Sequence, residues 1–210
     1  MDNRKNACYI AGAGEFYGFR SRPSEGDLVI AADGGYEWLQ KEKITPDVVI
    51  GDFDSLRGFC REDFQQECIT LPCEKDDTDM FAAVSEGLKR GYRAFHIYGG
   101  MGGRISHTIA NIELLADLSQ RGVEAYLYGD GCVITALTDG SMKVPGDFKG
   151  YMSVLSHTDA AKGVYLRNLK YPLTDATLTN CVPLGISNEC TGKEGEISVR
   201  EGTLIIILED

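Results

Sequence analysis

The sequence has no apolar run approaching the ~18–20 residues that a membrane-spanning helix requires. Its seven cysteines are scattered, none forms a C-x-x-C pair, and the three histidines lie far from one another. We therefore expect neither a zinc site nor a disulfide framework, and reduced thiols in the cytoplasm are the better interpretation. Residues 1–6 lead into only a short apolar stretch, so a signal peptide is not expected.

Basic residues are also in short supply, with 21 Lys and Arg against 32 Asp and Glu and a net charge of −11. This balance argues against binding to nucleic acid or to an anionic membrane surface. It suits a cationic small molecule, and it requires a phosphate-bearing ligand to arrive with a metal ion.

Two common nucleotide-binding motifs are missing. No G-x-x-x-x-G-K-[ST] loop occurs, and the glycines that follow the first apolar run do not fit the dinucleotide fingerprint, because Gly18 comes one place too late. The turn Gly12-Ala13-Gly14 remains open as a phosphate-facing segment, although by itself it is a weak signal.

The chain does contain five aspartates in two short runs, Asp52-Phe53-Asp54 and Asp76-Asp77-Thr78-Asp79. The first follows an apolar strand pattern and the second precedes a helical one. If both open onto the same end of a sheet, two carboxylates ~6 Å apart repel by about 3 kcal/mol at an effective dielectric of ~20. Contact with a helix N-terminus stabilises each carboxylate by only ~0.3–1 kcal/mol. Protons or a hard divalent cation must therefore compensate, and oxygen ligands shared with phosphates suit Mg²⁺.

Each run also has a simpler explanation. Asp76 and Asp79 fit a helix cap and first turn, and Asp54-Ser55 fits ordinary turn chemistry. The occurrence of both runs at predicted strand ends favours the site.

Up to about Leu137, short apolar runs alternate with helical patterns. Strands are predicted at 7–11, 28–32, 48–50, 68–71, 94–98 and 123–128, and helices at 35–42, 77–90 and 104–121. This alternation predicts an α/β fold with a mainly parallel sheet flanked by helices, in which ligands bind beyond the carboxyl ends of the strands. Residues 1–137 are predicted to form this domain.

Residues 138–210 have a different pattern, with short strand-like runs separated by Gly, Pro and Asn and no helical period. We predict a second domain that is a small all-β sandwich, with a tight hairpin at Arg200–Thr203. Its size is marginal for an isolated core, so it should dock on the first domain or on another subunit.

A glycine-rich segment, Gly99–Gly103, joins a predicted strand to a predicted helix. Glycines there allow close approach of a ligand, the helix N-terminus attracts anions, and Arg104 can grip a phosphate. The helix carries an apolar stripe (Ile105, Ile109, Ile112, Leu115) beside a polar one (Arg104, Thr108, Asn111, flanked by His107), which predicts a lined cavity. The alternative is a glycine turn before a surface helix. Asp33-Gly34-Gly35 adds a sixth carboxylate to this edge, or is a plain helix cap.

Together these segments resemble the thiamine pyrophosphokinase family. The resemblance rests on five segments in the family's order: Ala32–Gly35, Pro46–Ser55, Lys75–Asp79, Gly103–His107 and Gly185–Asn188. It implies a catalytic α/β domain that binds nucleotide and metal, a thiamine-binding β-sandwich, and a homodimer with active sites at the interface. It also implies Mg²⁺-dependent transfer of a diphosphate from ATP to thiamine, leaving AMP.

The resemblance also implies roles for particular residues. Those expected to be catalytic are Asp52, Asp54, Asp76, Asp79, Lys75 and Arg104. The four of these that are aspartates would also hold the metal. Those expected to bind the nucleotide are Asp33, Gly34, Thr78, Gly102, Gly103, His107 and Asn111. Those expected to bind thiamine are Ser187, Asn188 and Asp79.

The chain departs from the family at Ser106, where the family usually carries aspartate. The predicted β-domain also has no tryptophan. If the pyrimidine of thiamine stacks on an aromatic side chain there, a tyrosine such as Tyr151, Tyr165 or Tyr171 must serve. Two alternatives stay open: a non-catalytic relative that binds thiamine or nucleotide, and another Mg²⁺-dependent phosphotransferase that would release ADP.

Overall fold

The computed structural model describes residues 6–52, 65–72 and 77–210. Its described residues divide into two compact units. One falls within Met1–Asn111 and Leu127–Asp130, and the other within Ile112–Tyr126 and Gly131–Asp210.

The first unit is built on parallel strands. They are β1 (Cys8–Ala11), β2 (Leu28–Ala32), β3 (Val48–Gly51), β4 (Glu67–Thr70) and β5 (Ala94–Tyr98), with helices α1 (Gly35–Lys41) and α2 (Asp79–Lys89). The strands pair in the order β5-β1-β2-β3-β4, and every pair is parallel. Helix α3 (Ile105–Gln120) and strand β6 (Glu124–Gly129) each contribute residues to both units. The predicted parallel sheet is confirmed.

The central strands are buried along their whole length, as in a sheet covered on both faces. Every residue of β1, β2 and β3 is buried, which explains their continuous apolar runs. Close packing of α1 depends on Gly35, since a β-carbon there would lie 1.8 Å from the carbonyl oxygen of Ala11.

The second unit is an antiparallel sandwich. Its strands are β7 (Cys132–Thr138), β8 (Ser141–Val144), β9 (Tyr151–Ser156), β10 (Ala160–Arg167), β11 (Leu173–Thr179), β12 (Gly185–Asn188), β13 (Gly195–Ser198) and β14 (Thr203–Glu209). One sheet has the order β12-β9-β14-β7 and the other β11-β10-β13-β8. Buried residues of both, such as Val154 and Leu204 of the first and Val164 and Ile197 of the second, form one core. The predicted sandwich is confirmed.

The predicted hairpin at Arg200–Thr203 is wrong. Strand β13 pairs with β10 and β8, whereas β14 pairs with β7 and β9, so the chain passes from one sheet to the other at this point. The backbone of Lys162 holds the crossing, because its N–H donates to Glu201 at 2.8 Å and its carbonyl accepts from Arg200 at 3.1 Å.

The predicted apolar stripe of α3 is wrong in its first two turns. Ile105 is 77% exposed and Ile109 53% exposed. The buried face instead runs through Asn111, Leu114 and Leu118. The helix is thus oriented so that Asn111, rather than these isoleucines, packs inward, while Arg104 stays exposed.

Two remaining features bear on the chemistry of the chain. None of the five described cysteines forms a disulfide; they are Cys8, Cys68, Cys132, Cys181 and Cys190. Across the described ranges, no helix combines the length and apolar character needed to span a membrane.

Candidate active site

The carboxyl ends of four parallel strands open onto one cavity of about 680 Å³. Gly12-Ala13-Gly14 follows β1, Asp33 follows β2, Asp52 follows β3, and Gly99–Gly103 follows β5. The start of α2 and the first turns of α3 complete the lining. All of these residues belong to the first unit.

Two glycine-rich segments form one wall of the cavity. The N–H groups of Gly12 and Gly14 donate to the carbonyls of Tyr98 and Gly99 at 2.8 Å each, so the pairing of β1 with β5 continues past the strand ends. Gly99 has a φ of 62°, and a β-carbon on it would lie 2.3 Å from the carbonyl oxygen of Gly12. Only glycine permits this approach.

The strand beneath this wall carries Tyr98, which is 2% exposed. Its ring stacks on Tyr128 with centroids 4.4 Å apart, and its hydroxyl donates to the carbonyl of Ser21 at 3.1 Å. Burial raises the pKa of Tyr98 to about 12. The group therefore stays neutral at physiological pH and serves as a fixed, packed support.

Asp33 occupies an unusual backbone conformation at the cavity. Its φ of 51° is left-handed, a region that aspartate tolerates better than most residues do. Its N–H donates to the carbonyl of Ile50 at 2.8 Å, extending the pairing of β2 with β3. The turn that follows brings Asp33 into the lining beside Asp52.

Helix α2 points its N-terminus at the cavity. The cap is Thr78, whose Oγ1 accepts a hydrogen bond from the N–H of Phe81 at 3.1 Å, and Asp79 lies in the first turn. Asp77, Thr78 and Asp79 all line the cavity. This start of α2 therefore adds two carboxylates to those of Asp33 and Asp52.

Helix α3 supplies the basic and amide groups of the site. Arg104, just before the helix, and His107, in its first turn, both line the cavity. Asn111 also lines it, and its Nδ2 donates to the carbonyl of Gly100 at 2.6 Å. Of the predicted polar stripe, Arg104, Asn111 and the flanking His107 line the cavity, whereas Thr108 is not among the lining residues.

The donor set is chemically suited to a hard cation. Asp33, Asp52, Asp77 and Asp79 offer carboxylate oxygens, the ligands that Mg²⁺ prefers. Within 6–52, 65–72 and 77–210, no three acidic, His or Cys side chains are gathered as a closed metal cage. In proteins, Mg²⁺ is usually held by one or two carboxylates together with substrate phosphates.

Comparison with known proteins separates the possible chemistries of this cavity. The model of the thiamin pyrophosphokinase catalytic domain matches residues 19–127, and that of the thiamin pyrophosphokinase vitamin B1 binding domain matches residues 141–204. The chain belongs to the thiamin pyrophosphokinase family. A thiamine pyrophosphokinase of Bacillus subtilis (strain 168) is 30% identical over 187 residues, which are 87% of each chain.

Solved structures of family members agree over nearly the full length. A crystal structure of thiamine pyrophosphokinase from Bacillus subtilis has a TM-score of 0.88 and 27% identity, covering 98% of this chain and 99% of the other. The Geobacillus thermodenitrificans structure has a TM-score of 0.84 and 28% identity, covering 97% of each. These matches do not favour the non-catalytic relative or the other phosphotransferase over a pyrophosphokinase.

Most of the described residues that the family resemblance assigned to catalysis or nucleotide binding meet at this cavity. They are Asp33, Asp52, Thr78, Asp79, Gly102, Gly103, Arg104, His107 and Asn111. Gly34 is next to the lining, and a β-carbon on it would lie 3.3 Å from that of Ala13. Asp54, Lys75 and Asp76 lie outside the described residues, so their roles stay predictions.

The two thiamine-binding candidates of the second unit have contrasting environments. Ser187 is exposed and left-handed, with a φ of 55°, at an irregular step in the pairing of β12 with β9. Asn188 is 2% exposed. Its amide accepts from the N–H of Tyr171 at 2.9 Å and donates to the carbonyl of Tyr171 at 2.7 Å. Asn188 therefore orders the backbone of Tyr171.

Among the lining residues, Gly12, Ala13 and Gly14 are open in the sequence only as a weak phosphate-facing signal, and Asp77 and Met101 are given no individual role. The signal for the first three was present, because a glycine turn directly after a buried strand lies at the ligand-binding edge of a parallel sheet. The signal was weak because the spacing to Gly18 does not match the dinucleotide-binding motif.

Proposed function

We propose that this chain transfers the diphosphate group of ATP to the hydroxyethyl oxygen of thiamine, giving thiamine diphosphate and AMP. One observation carries the proposal: Asp33, Asp52, Asp79 and Arg104 share one cavity in a chain that both thiamin pyrophosphokinase domain models match. The cavity volume of about 680 Å³ is within the range usual for small-molecule sites.

The reaction forms one bond and breaks one. The thiamine hydroxyl oxygen attacks the β-phosphorus of ATP, the bond from that phosphorus to the oxygen bridging the α-phosphorus breaks, and AMP leaves with the bridging oxygen. The hydroxyl proton is released to water. Because phosphoryl transfers of this kind have a loose transition state, positioning and charge stabilisation supply most of the catalysis.

The chain contributes a cationic side chain, polar groups and glycine backbone to the nucleotide site. Arg104 grips phosphate oxygens, and the N-terminus of α3 adds a favourable field for negative charge. Gly102 and Gly103 let the backbone approach the nucleotide, while His107, Asn111, Thr78, Asp33 and Gly34 border it. Lys75 balances charge on the transferring group.

Mg²⁺ is the metal that the carboxylate oxygens of the cavity fit. Asp52 and Asp79, together with Asp54 and Asp76 of the same two runs, would hold it. When bound, it neutralises charge on the phosphate oxygens. The carboxylates thereby allow an acidic protein, of net charge −11, to accept a polyanionic substrate.

Thiamine is assigned to the second domain, residues 138–210, and the nucleotide and metal to residues 1–137. Support comes from the vitamin B1 binding domain model, which matches residues 141–204. Ser187 of the partner subunit and Asn188 of the partner subunit contact thiamine, and Asp79 meets the thiazolium cation. An acidic protein suits the thiazolium charge.

A cytoplasmic homodimer with active sites at the interface completes the proposal. Exposed apolar side chains support it in each unit: Ile105 and Ile109 beside the cavity, and Leu184 and Ile186 next to Ser187. Free cysteines are typical of a reducing compartment.

Phosphorus NMR of the purified protein with thiamine, ATP and Mg²⁺ tests this function. We expect catalytic formation of AMP and thiamine diphosphate, abolished by EDTA. Asp52→Asn, which removes charge with little change in shape, controls for contaminating kinases and should lose nearly all turnover. Release of ADP, or thiamine-independent loss of ATP, would show a different transferase. Thiamine binding without any product would show a non-catalytic relative.

A further inference from the structure

The sole tryptophan of the chain, Trp38, lies on α1, behind the cavity wall rather than in the lining. Its indole Nε1 donates a hydrogen bond to the carbonyl oxygen of Gly14 at 3.1 Å. Gly14 and its neighbour Ala13 do line the cavity. A side chain outside the site therefore holds a backbone group of the site.

The turn Gly12–Gly14, which is part of this wall, is held by hydrogen bonds on two sides. On one edge, the N–H groups of Gly12 and Gly14 donate to the β5 side at 2.8 Å each, and that of Glu15 donates to the carbonyl of Met101 at 2.9 Å. On the other edge, the Gly14 carbonyl accepts from Trp38. Because Gly12 and Gly14 have no side chains, the position of this wall is set by these backbone bonds and by the indole.

The indole itself makes two further contacts. The ring of Phe16, two residues beyond Gly14, stacks on it with centroids 5.7 Å apart and an interplanar angle of 15°. The ammonium of Lys41 lies 4.1 Å from the ring centroid, a favourable cation–π distance. Trp38 thus couples helix α1 to the segment Gly14–Phe16.

We infer that Trp38 is a positioning residue for the nucleotide: it fixes the Gly12–Gly14 wall at the distance that the phosphates of ATP require. This inference rests on the proposed function. Trp38 does not touch the reacting atoms, so removal of its donor group weakens nucleotide binding and leaves the chemical step largely intact.

The sharpest test replaces the indole N–H alone. Benzothienylalanine, in which sulfur replaces the ring N–H, can be introduced biosynthetically in a tryptophan auxotroph, and only position 38 changes because the chain has one tryptophan. We expect KM for Mg-ATP to rise about three- to tenfold, the change that a lost hydrogen bond of ordinary strength produces. We expect kcat to change by less than about twofold and KM for thiamine to stay constant. Trp38→Phe should also raise KM for Mg-ATP.

Leu39→Val is the matched control. Leu39 is buried in the same helix at 1% exposure, and shortening it lowers stability without removing a bond to Gly14. An equal rise of KM in this variant would overturn the inference, because general loosening of α1 would then explain the effect.

Fluorescence of the unmodified protein gives an independent readout. Titration with Mg²⁺ and α,β-methylene ATP, whose α–β bridge cannot be cleaved, should change the Trp38 emission and saturate at the concentration that inhibits turnover. No change in emission at saturating inhibition would overturn the inference.

Product formation by the unmodified protein separates the two proposals. Absence of AMP and thiamine diphosphate there would overturn the proposed function. An active unmodified protein whose KM is insensitive to the sulfur replacement would overturn the role of Trp38 alone.

Discussion

Asn111 fixes Gly100, eleven residues before it in the chain, through a hydrogen bond of 2.6 Å from its Nδ2 to the Gly100 carbonyl. Asn111 is 7% exposed, and a β-carbon on Gly100 would lie 3.2 Å from the same nitrogen. A residue of α3 therefore holds the loop that leads into α3, and the loop is one wall of the cavity.

Replacing Asn111 by Ala should lower both stability and nucleotide affinity. The Gly100 carbonyl loses its side-chain donor in a buried setting, which typically costs about 1–3 kcal/mol. We expect the free energy of unfolding in urea to fall by that amount and KM for Mg-ATP to rise. Asn180→Ala is the control, because the Asn180 amide donates to the Asp159 carboxylate at 3.3 Å in an exposed setting. Equal losses in the two variants would contradict the prediction.

Two substitutions of Asp33 should separate the effect of its carboxylate charge on activity from the effect of its left-handed backbone on stability. Asp33→Asn keeps a side chain that accepts the left-handed region, so we expect a small change in the free energy of unfolding but a drop of at least about tenfold in kcat/KM. Asp33→Ala should lose stability as well, because alanine meets a left-handed penalty of about 1–2 kcal/mol.

Chemical denaturation and steady-state kinetics of both Asp33 variants check this separation. An Asp33→Asn enzyme with full activity would show that the carboxylate charge is unnecessary. Asp33→Ala as stable as Asp33→Asn would show that the φ of 51° carries no cost.

Because the Tyr98 hydroxyl is buried, its ionisation should lower the free energy of unfolding at high pH. Burial raises its folded-state pKa to about 12, from an ordinary value of 10.0. The unfolded chain therefore releases this proton first, and stability that is complete below pH 10 is lost as the pH rises towards 12. Over that window the contribution is about 2–3 kcal/mol.

Guanidinium unfolding of the wild type and of Tyr98→Phe at pH 9 and pH 11 isolates this contribution. The other tyrosines titrate in both proteins, so their effects cancel in the difference. The wild type should lose more stability between the two pH values than the variant. Parallel losses would place the Tyr98 titration in its ordinary range.

Much of the fold could be predicted because burial leaves a clear trace in the sequence. Strands β1, β2 and β3 are buried throughout, and their apolar runs are continuous for that reason. The errors arose where tertiary context decides. The orientation of the first turns of α3 depends on buried Asn111 and its bond to Gly100. The crossing at Arg200–Thr203 depends on Lys162, which is distant in sequence.

The site was predictable where residue type and strand end coincide. Asp33 and Asp52 directly follow buried strands, so the topology of a parallel sheet places them together. Trp38 could not be recognised, because its role depends on one hydrogen bond to a backbone carbonyl. Sequence patterns specify side chains, whereas Gly14 contributes only its backbone there.

Ser106 offers a test of how the family's chemistry is retained in this chain. It is exposed in the first turn of α3, at the position where the family resemblance leads us to expect aspartate, and that first turn holds no acidic residue. Ser106→Asp should stabilise the helix by about 0.3–1 kcal/mol through the N-terminal dipole. If a carboxylate at this position also contacts metal or substrate, kcat/KM rises as well.

Ser106→Asn separates the two effects, because it matches aspartate in shape and lacks the charge. The unfolding temperature of Ser106→Asp should be higher than that of Ser106→Asn, and the difference should become smaller in high salt. In kinetics, we expect Ser106→Asp to increase kcat/KM and to lower the Mg²⁺ concentration needed for half-maximal rate, while Ser106→Asn does neither. A Ser106→Asp enzyme that is more stable but no faster would show that the carboxylates of the cavity already serve the reaction without a contribution from position 106.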